Sequence, residues 1–315
     1  MKKRKVIIDT DCGSDDAVAI VMALRERSVE VLCFTTVYGN VPLEQATTNT
    51  LISIEKAQTY QPPVYRGCSR PILRDVVYAY ETHGQDGMGD IGLKVEQLTA
   101  EPENGVVKML ELLRSHEEGE IELITLGTLT NVALAFLMEP ETMRKVKRIA
   151  MMGSAGLGCG NVTPVAEFNI WQDAEAAKII VDSGIPLLFV GWDACLDAAL
   201  LEQEDMDKIS ALNEIGAFCM ACNRQLVQLN EERFGRPLLD MADPAAMAAI
   251  LRPECIKTCD AYYCDVDISQ GISYGAVVID RMHTSGKLPN AEVCSALHGE
   301  LFKNYLCEVI RGDFI

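Results

Sequence analysis

The sequence predicts an α/β fold, an open and mostly parallel Rossmann-like sheet with flanking helices and a helical side region. Two observations support this prediction: short apolar runs alternate with segments of helical periodicity, and most of the runs are continuously apolar. Such alternation is typical of right-handed βαβ units, and continuously apolar strands are typical of a sheet buried on both faces. The 315 residues are 49% hydrophobic and 23% charged, which allows a sizeable core, and we expect one domain over residues 1–315.

The first half of the chain contains three strand–helix pairs. The apolar runs KVIID, VEVLCFTTVYG and IELITLG are each followed by a segment with helical spacing. The predicted strands are 5–9, 29–39 and 121–127, and the helices that follow them are 15–27, 43–58 and 130–138.

The second half continues the pattern less regularly. Strands are predicted at 148–154 and 186–192, with a helix at 173–184 between them, and a late strand is predicted at 276–280. The region from about 200 to 251 has a helical pattern and could form a lid or a side lobe.

Polar residues and glycines follow several of the predicted strands. Asp9 and Asp11 end the first, Asn40 follows the second, Leu126 and Gly127 end the third, and Gly153 and Ser154 end the fourth. Ligands of open parallel sheets bind beyond the carboxyl ends of the strands. We therefore expect these positions to converge on one cleft.

The overall charge and the cysteines exclude several classes of protein. A formal net charge of −18 disfavours binding to nucleic acid or to an anionic membrane. No apolar run approaches the roughly 18–20 residues that span a bilayer, and no secretory pattern follows Met1. The 12 cysteines are scattered without paired zinc-type spacing. We expect a cytoplasmic protein whose thiols are mostly reduced.

The segment DTDCGSDDA, residues 9–17, places four aspartates within eight positions. One interpretation is a stabilised helix start, with Ser14 as the N-cap and Asp15 and Asp16 in the first turn, where the helix dipole favours negative charge. That interpretation leaves Asp11, across the turn from them, unexplained. A bound divalent cation would relieve the repulsion, and carboxylate and carbonyl oxygens suit calcium or magnesium better than zinc.

The sequence resembles the inosine-uridine-preferring nucleoside hydrolases, and Cys12 places it closest to the subset with cysteine in the first motif. DTDCGSDDAVAI resembles the amino-terminal signature of that family. Four further blocks agree in order and spacing: TTVYGN (35–40), LGTLTN (126–131), GNVTPVAEFNIW (160–171) and ADPAAMAA (242–249). The resemblance implies a Rossmann-like fold, assembly as a homodimer or homotetramer, and calcium-dependent hydrolysis of ribonucleosides to ribose and free base.

The resemblance also implies a role for each matched residue. Asp11 would be the general base and a calcium ligand, and Asn40 would act beside it. The other calcium ligands would be Asp16, the Leu126 carbonyl oxygen and Asp243. The remaining residues would bind the ribose or close over the substrate: Asp15, His83, Met152, Asn161, Glu167, Phe168 and Asn169. In this chemistry a carboxylate takes the proton from a water molecule that attacks the sugar, and residues that bind the ribose hydroxyls would disfavour deoxy sugars.

Two positions depart from the family pattern. Ala242 stands where many members have a histidine that is thought to protonate the leaving base, and Cys12 stands where many have proline. Tyr78, Tyr80, Arg224 and Arg233 are candidates to assist the leaving base. Cys12 either contacts the substrate or packs behind the first loop.

Two alternative functions remain open from the sequence. Strand-DTD resembles the start of haloacid dehalogenase-type phosphatases, although Gly13 and the GNVTPVAEFNI block fit that class poorly. Ala242 also allows a ribonucleoside-binding protein that does not turn over its ligand.

Overall fold

The computed structural model describes residues 3–312. Its twelve strands, within that range, are β1 (Arg4–Thr10), β2 (Val29–Thr36), β3 (Val64–Arg66), β4 (Ile121–Thr125), β5 (Ile149–Met152), β6 (Leu187–Val190), β7 (Leu200–Glu202), β8 (Leu238–Asp240), β9 (Ile256–Tyr262), β10 (Cys264–Val266), β11 (Val277–Ile279) and β12 (Ala291–Leu297).

Eight of these strands form one sheet in the order β3-β2-β1-β4-β5-β6-β12-β9. All neighbours pair in parallel except β12 and β9, which are antiparallel. The strand order reverses at β1, whose two neighbours are β2 and β4. In open α/β sheets such a reversal leaves a crevice at the carboxyl ends of the two central strands, and ligands bind there.

Helices cover both faces of the sheet. They are α1 (Ser14–Arg25), α2 (Leu43–Ala57), α3 (Tyr80–His83), α4 (Gly105–Ser115), α5 (Thr130–Met138), α6 (Pro140–Met143), α7 (Phe168–Gln172), α8 (Ala174–Val181), α9 (Trp192–Ala198), α10 (Gln203–Ser210), α11 (Glu214–Ala221), α12 (Arg224–Phe234), α13 (Ala242–Leu251) and α14 (Gly299–Arg311). One apolar core joins the sheet to α1, α2, α13 and α14, and the other joins it to α4, α5 and α8. The predicted α/β class and mostly parallel sheet are confirmed.

Several elements differ from the sequence-based expectation. The late run at 276–280 lies in an antiparallel hairpin, β10–β11, outside the main sheet. The main sheet instead ends with β12 and β9, which the apolar pattern did not predict. The region from 200 to 251 is mostly helical, yet it contains the antiparallel ribbon β7–β8. Its last helix, α13, is buried along its whole length against α1 and is therefore part of the core.

The described residues add two findings. Within residues 3–312, no helix is long and apolar enough to cross a membrane. All twelve cysteines lie within this range and are free thiols.

Candidate active site

The first loop connects β1 to α1, and its geometry differs from the prediction in one respect. The N-cap of α1 is Gly13, in an extended conformation, and Ser14 is already the first helical residue. The Ser14 hydroxyl lies 2.9 Å from Nδ1 of His83, and so the expected Ser14 cap is wrong. The Asp16 carboxylate instead accepts the Gly13 backbone N–H at 2.9 Å and stabilises the helix start.

Asp11 lies between Gly39 and Gly127, two positions at which a side chain would overlap its carboxylate. A Cβ atom built on Gly39 would lie 1.9 Å from Asp11 Oδ2, and one built on Gly127 would lie 2.7 Å from Asp11 Cγ. Asn40 fixes the carboxylate, because its backbone N–H donates to Oδ2 at 2.7 Å and its side-chain amide donates to Oδ1 at 3.3 Å. The end of β4 and the loop after β2 thus position the first candidate acid.

Asp15, Asp16 and Asp243 form a compact buried cluster, with one carboxylate oxygen of each lying within 4.8 Å of the others. Burial and the charge of Asp15 raise the pKa of Asp16 to about 6. Burial and the neighbouring acids also raise the pKa values of Asp11 and Asp243 well above the ordinary range. Among residues 3–312, no lysine or arginine forms an ion pair with any of these acids, so the protein alone does not compensate their charge.

A second group of polar residues lies beyond β5. Glu167 caps α7 and accepts backbone N–H groups from Asn169 at 2.8 Å and from Ser154 at 3.0 Å. Burial raises the pKa of Glu167 to about 7. Ser154 is buried at a φ of +78°, a conformation that costs energy for a residue other than glycine and that recurs at functional sites. The strained turn aims a backbone donor at the Glu167 carboxylate.

Asn169 links this group to the carboxyl ends of the central strands. Its side-chain amide donates to the Leu126 carbonyl oxygen at 2.8 Å and to the Met152 carbonyl oxygen at 3.2 Å. Asn161 lies on the exposed loop before α7 and accepts the backbone N–H of Phe168 at 2.9 Å. Leu126, Met152, Asn161 and Asn169 line the same cavity as Asp15 and Asp243.

A cavity of about 510 Å³ opens above these residues. His83 contributes from α3, where Ser14 N–H donates to its Nδ1 at 3.2 Å and Asp15 lies 3.9 Å away. Burial lowers the pKa of His83, so the neutral imidazole carries its proton on Nε2. The far wall is largely apolar and comes from α9, α12 and the β7–β8 ribbon.

The structure brings all the sequence-predicted site residues together. Ten line the cavity: Asp15, Asn40, His83, Leu126, Met152, Asn161, Glu167, Phe168, Asn169 and Asp243. The other two, Asp11 and Asp16, lie beneath it and are hydrogen-bonded to Asn40. Of the four candidates for assisting the leaving base, Tyr78 and Arg233 line the cavity, whereas the Arg224 guanidinium is bonded to the carbonyls of Gly89 and Asp90.

Asp9 and Cys12 of the first motif also lie outside the cavity lining. Asp9 is fully buried, and its carboxylate accepts hydrogen bonds from Thr35 and Asn131, so it does not point the same way as Asp11. Cys12 is buried 3.8 Å from Ser53 Oγ, and burial raises the pKa of its thiol well above the ordinary range. Of the two interpretations of Cys12, the structure supports packing behind the loop.

Sequence reasoning missed most of the far wall. Its lining residues include Trp192, Leu200, Leu229, Asn230 and Asp240. The available signal was weak: Asp240 ends a three-residue run, separated by Met241 from the ADPAAMAA block. Because β8 forms by pairing with β7, which lies about forty residues earlier, local patterns did not indicate it.

A parallel sheet with buried acids at its switch point and an adjacent cavity is typical of the ligand-binding site of an α/β protein. Comparison with known proteins identifies the family. The family model described as inosine-uridine preferring nucleoside hydrolase matches residues 6–304, and the chain belongs to that family. It is an enzyme, a nucleoside N-ribohydrolase.

A curated relative shows the same relationship over the full length. The pyrimidine-specific ribonucleoside hydrolase RihB of Escherichia coli O1:K1 / APEC is 33% identical over 314 residues, which cover 99% of this chain and 98% of the relative.

Solved structures agree with the sequence comparison. A plant nucleoside hydrolase, the PpNRh1 enzyme, superposes with a TM-score of 0.92 at 28% identity and covers 98% of this chain and 99% of its own. A purine-preferring ribonucleoside hydrolase from Gardnerella vaginalis superposes with a TM-score of 0.89 at 27% identity, with 98% of each chain covered. The relatives differ in the base that their names specify, so family membership leaves the base preference of this chain open.

Proposed function

We propose that this enzyme hydrolyses the N-glycosidic bond of ribonucleosides with the help of a bound calcium ion, releasing ribose and the free base. The observation that supports this most directly is the cluster of Asp15, Asp16 and Asp243 within 4.8 Å, buried and without a protein cation, beside a cavity of nucleoside size. Oxygen-only ligands suit calcium or magnesium.

The residues fit a hard dication in number and in chemistry. Asp11, Asp16, Asp243 and the Leu126 carbonyl oxygen would hold it, as the family resemblance implies. Asp15, a member of the carboxylate cluster with Asp16 and Asp243, could contribute a further oxygen. When bound, such an ion orients a water molecule and the sugar hydroxyls and lowers the pKa of that water. Burial and mutual repulsion raise the pKa values of these acids, and a bound cation would offset that free-energy cost.

Asp11 is the residue that we assign to proton abstraction. Both of its oxygens accept hydrogen bonds from Asn40, the stronger at Oδ2, which holds the carboxylate in one orientation. The weaker contact at Oδ1 leaves this oxygen available to take a proton from the attacking water. Asn40 also donates to Asp16 at 3.1 Å, so one side chain sets the geometry of two acids.

The sugar would occupy the side of the cavity formed by Asp15, Asn161, Glu167 and Asn169, with Met152 and Phe168 against its carbon atoms. Glu167 and Asn169 are held by backbone groups, so their free polar atoms are oriented before the substrate arrives. A 2′-deoxy sugar would leave buried partners unpaired, and we expect a strong ribose preference. His83, on α3, would close over the bound nucleoside.

The decisive experiment measures free ribose from inosine, uridine, adenosine and cytidine. We expect release by the wild-type enzyme, its loss after chelation, recovery with calcium, and a loss of more than about 100-fold in Asp11→Asn. A matched control is Asp207→Asn, an exposed acid on α10. Ribose release that persists unchanged in Asp11→Asn would contradict the assignment of the base.

The alternatives fit the structure less well. In a phosphatase Asp9 would be the reactive acid, but it is fully buried and bonded to Asn131. A protein that binds without turnover would bind ribonucleosides and release no ribose in the same assay.

We further propose that the enzyme is cytoplasmic and that its single-domain chains assemble as a homodimer or homotetramer. Light scattering of the purified protein tests the proposed assembly.

A further inference from the structure

The short ribbon β7–β8 places an acid in the apolar wall of the cavity. Leu200 and Asp240 are directly paired across the ribbon, and directly paired residues project from the same face. Leu238, two residues before Asp240, shares that face, and all three residues line the cavity. Asp240 is therefore a carboxyl group that the fold directs into a mostly apolar surface.

Asn230 anchors this carboxyl group. Its buried side-chain amide donates to Asp240 Oδ1 at 2.6 Å and to the Leu238 carbonyl oxygen at 3.0 Å. The amide thus ties α12 to β8 and fixes one carboxyl oxygen, which leaves the other for a ligand. A side chain held in this way keeps its orientation without help from the substrate.

The electrostatic surroundings favour the protonated form of Asp240. Burial raises its pKa most, the hydrogen bond from Asn230 on α12 lowers it, the charge of Asp15 on α1 raises it, and His83 on α3 lowers it; the net direction is upward. Arg233, which also lines the cavity, lies 3.4 Å from Glu81. A half-buried carboxyl group whose pKa is raised and whose orientation is fixed is suited to act as an acid.

Two other residues of the cavity lining, Ala242 and His83, are poor proton donors. Ala242 has no ionisable side chain. His83 receives a hydrogen bond at Nδ1 from the Ser14 N–H and is neutral, and a neutral imidazole is a very weak acid. With the sugar on the side of Glu167 and Asn169, the base would lie toward Trp192, Leu229 and Asp240.

We propose that Asp240 is a catalytic residue that contacts the leaving nucleobase and transfers a proton to it as the bond to the sugar breaks; this rests on the proposed function. The electron pair of the C1′–N bond goes to the base, which takes the proton from Asp240. Water forms the new bond to C1′ and gives its proton to Asp11. Solvent then protonates Asp240 and deprotonates Asp11, so the net reaction is nucleoside plus water to ribose plus base.

The test compares two kinds of leaving group in Asp240→Asn. Inosine and uridine need a proton on the departing base, whereas p-nitrophenyl β-D-ribofuranoside loses a stable phenolate that needs none. We expect kcat for both nucleosides to fall about 100-fold and kcat for the phenyl riboside to change less than about threefold. The alkaline limb of the kcat–pH profile for inosine should also disappear. Glu231→Gln, an exposed acid beside Asn230, is the matched control.

Each outcome decides the proposal. Equal losses on the nucleosides and the phenyl riboside would show that Asp240 acts on structure or sugar binding, and full nucleoside activity would show that it is dispensable; both overturn it. A wild-type enzyme inactive on all three substrates would overturn the proposed function as well. If Asp240→Asn does not fold by circular dichroism, Asn230→Ala must show the same selective loss, at least tenfold on inosine, and an unselective result there also overturns the proposal.

Discussion

Removing divalent cations should destabilise this enzyme in a way that depends on pH. Burial and the charge of Asp15 raise the pKa of Asp16 from 3.8 to about 6. The folded, cation-free protein therefore binds this proton more tightly than the unfolded chain does. The stability that protonated Asp16 contributes is fully present below about pH 4 and is lost as the pH rises through about 6.

The magnitude follows from the size of the shift. A displacement of about two pKa units corresponds to about 3 kcal/mol at pH 7, and Asp11 and Asp243 shift in the same direction. For a chain of 315 residues, that free energy corresponds to a melting-temperature decrease of about 4–5 °C. Under the proposed function a bound calcium ion would compensate the same charges, so calcium should restore the difference.

The assay is differential scanning fluorimetry of chelated and calcium-loaded protein between pH 4 and pH 8. We expect the two melting temperatures to coincide near pH 4 and to diverge toward pH 8. Chelated Asp16→Asn should melt above the chelated wild type at pH 7 and respond little to calcium, whereas Glu204→Gln, an exposed acid on α10, should behave like the wild type. A chelated wild type whose melting temperature is flat across this range would refute the reasoning.

Three further predictions concern positions around the sheet. Gly127→Ala would place Cβ 2.7 Å from Asp11 Cγ, so kcat should fall at least about 100-fold with an unchanged circular dichroism spectrum. Asn169→Ala removes the donor to the Leu126 and Met152 carbonyls and should narrow the preference for inosine over 2′-deoxyinosine about tenfold, measured by kcat/KM. Buried Glu122 accepts from Arg4 and Lys147, which hold its pKa at about 2, so Glu122→Gln should lose about 2 kcal/mol in urea unfolding at pH 7. That loss should shrink as the pH falls from 4.5 toward 2, and an equal loss at both ends would contradict it.

The parts of the fold that the sequence predicts well are those with strong local signals. The β1–α1 unit combines a continuously apolar strand, a glycine and a helix with apolar residues along its whole length, all within 25 residues. Strand β9 gave no such signal, because it is a sheet edge whose side chains are mostly exposed or half-buried and include Lys257 and Asp260. Its place in the sheet depends on pairing with β12, a contact between distant segments.

The site also combines residues that local motifs indicate with residues whose positions depend on distant segments. The five motifs contain ten of the twelve candidate residues, and His83 and Met152 lie outside these blocks. The proximity of all twelve agrees with the position of strand ends in a parallel sheet. The cap of α1 was not predictable, because the Ser14 hydroxyl lies against His83, which is 69 residues away. Asp240 was not predictable either, since its orientation depends on β7 and on Asn230.

The residues that line the two sides of the cavity are distributed differently along the sequence. The acids and the sugar-facing groups come from segments scattered between residues 11 and 243, at the ends of several strands. The opposite wall comes mainly from one stretch, residues 192–240. Under the proposed function, substitutions at the cavity-lining positions of this one stretch would change the contacts to the base and leave the acids of the sheet edge in place.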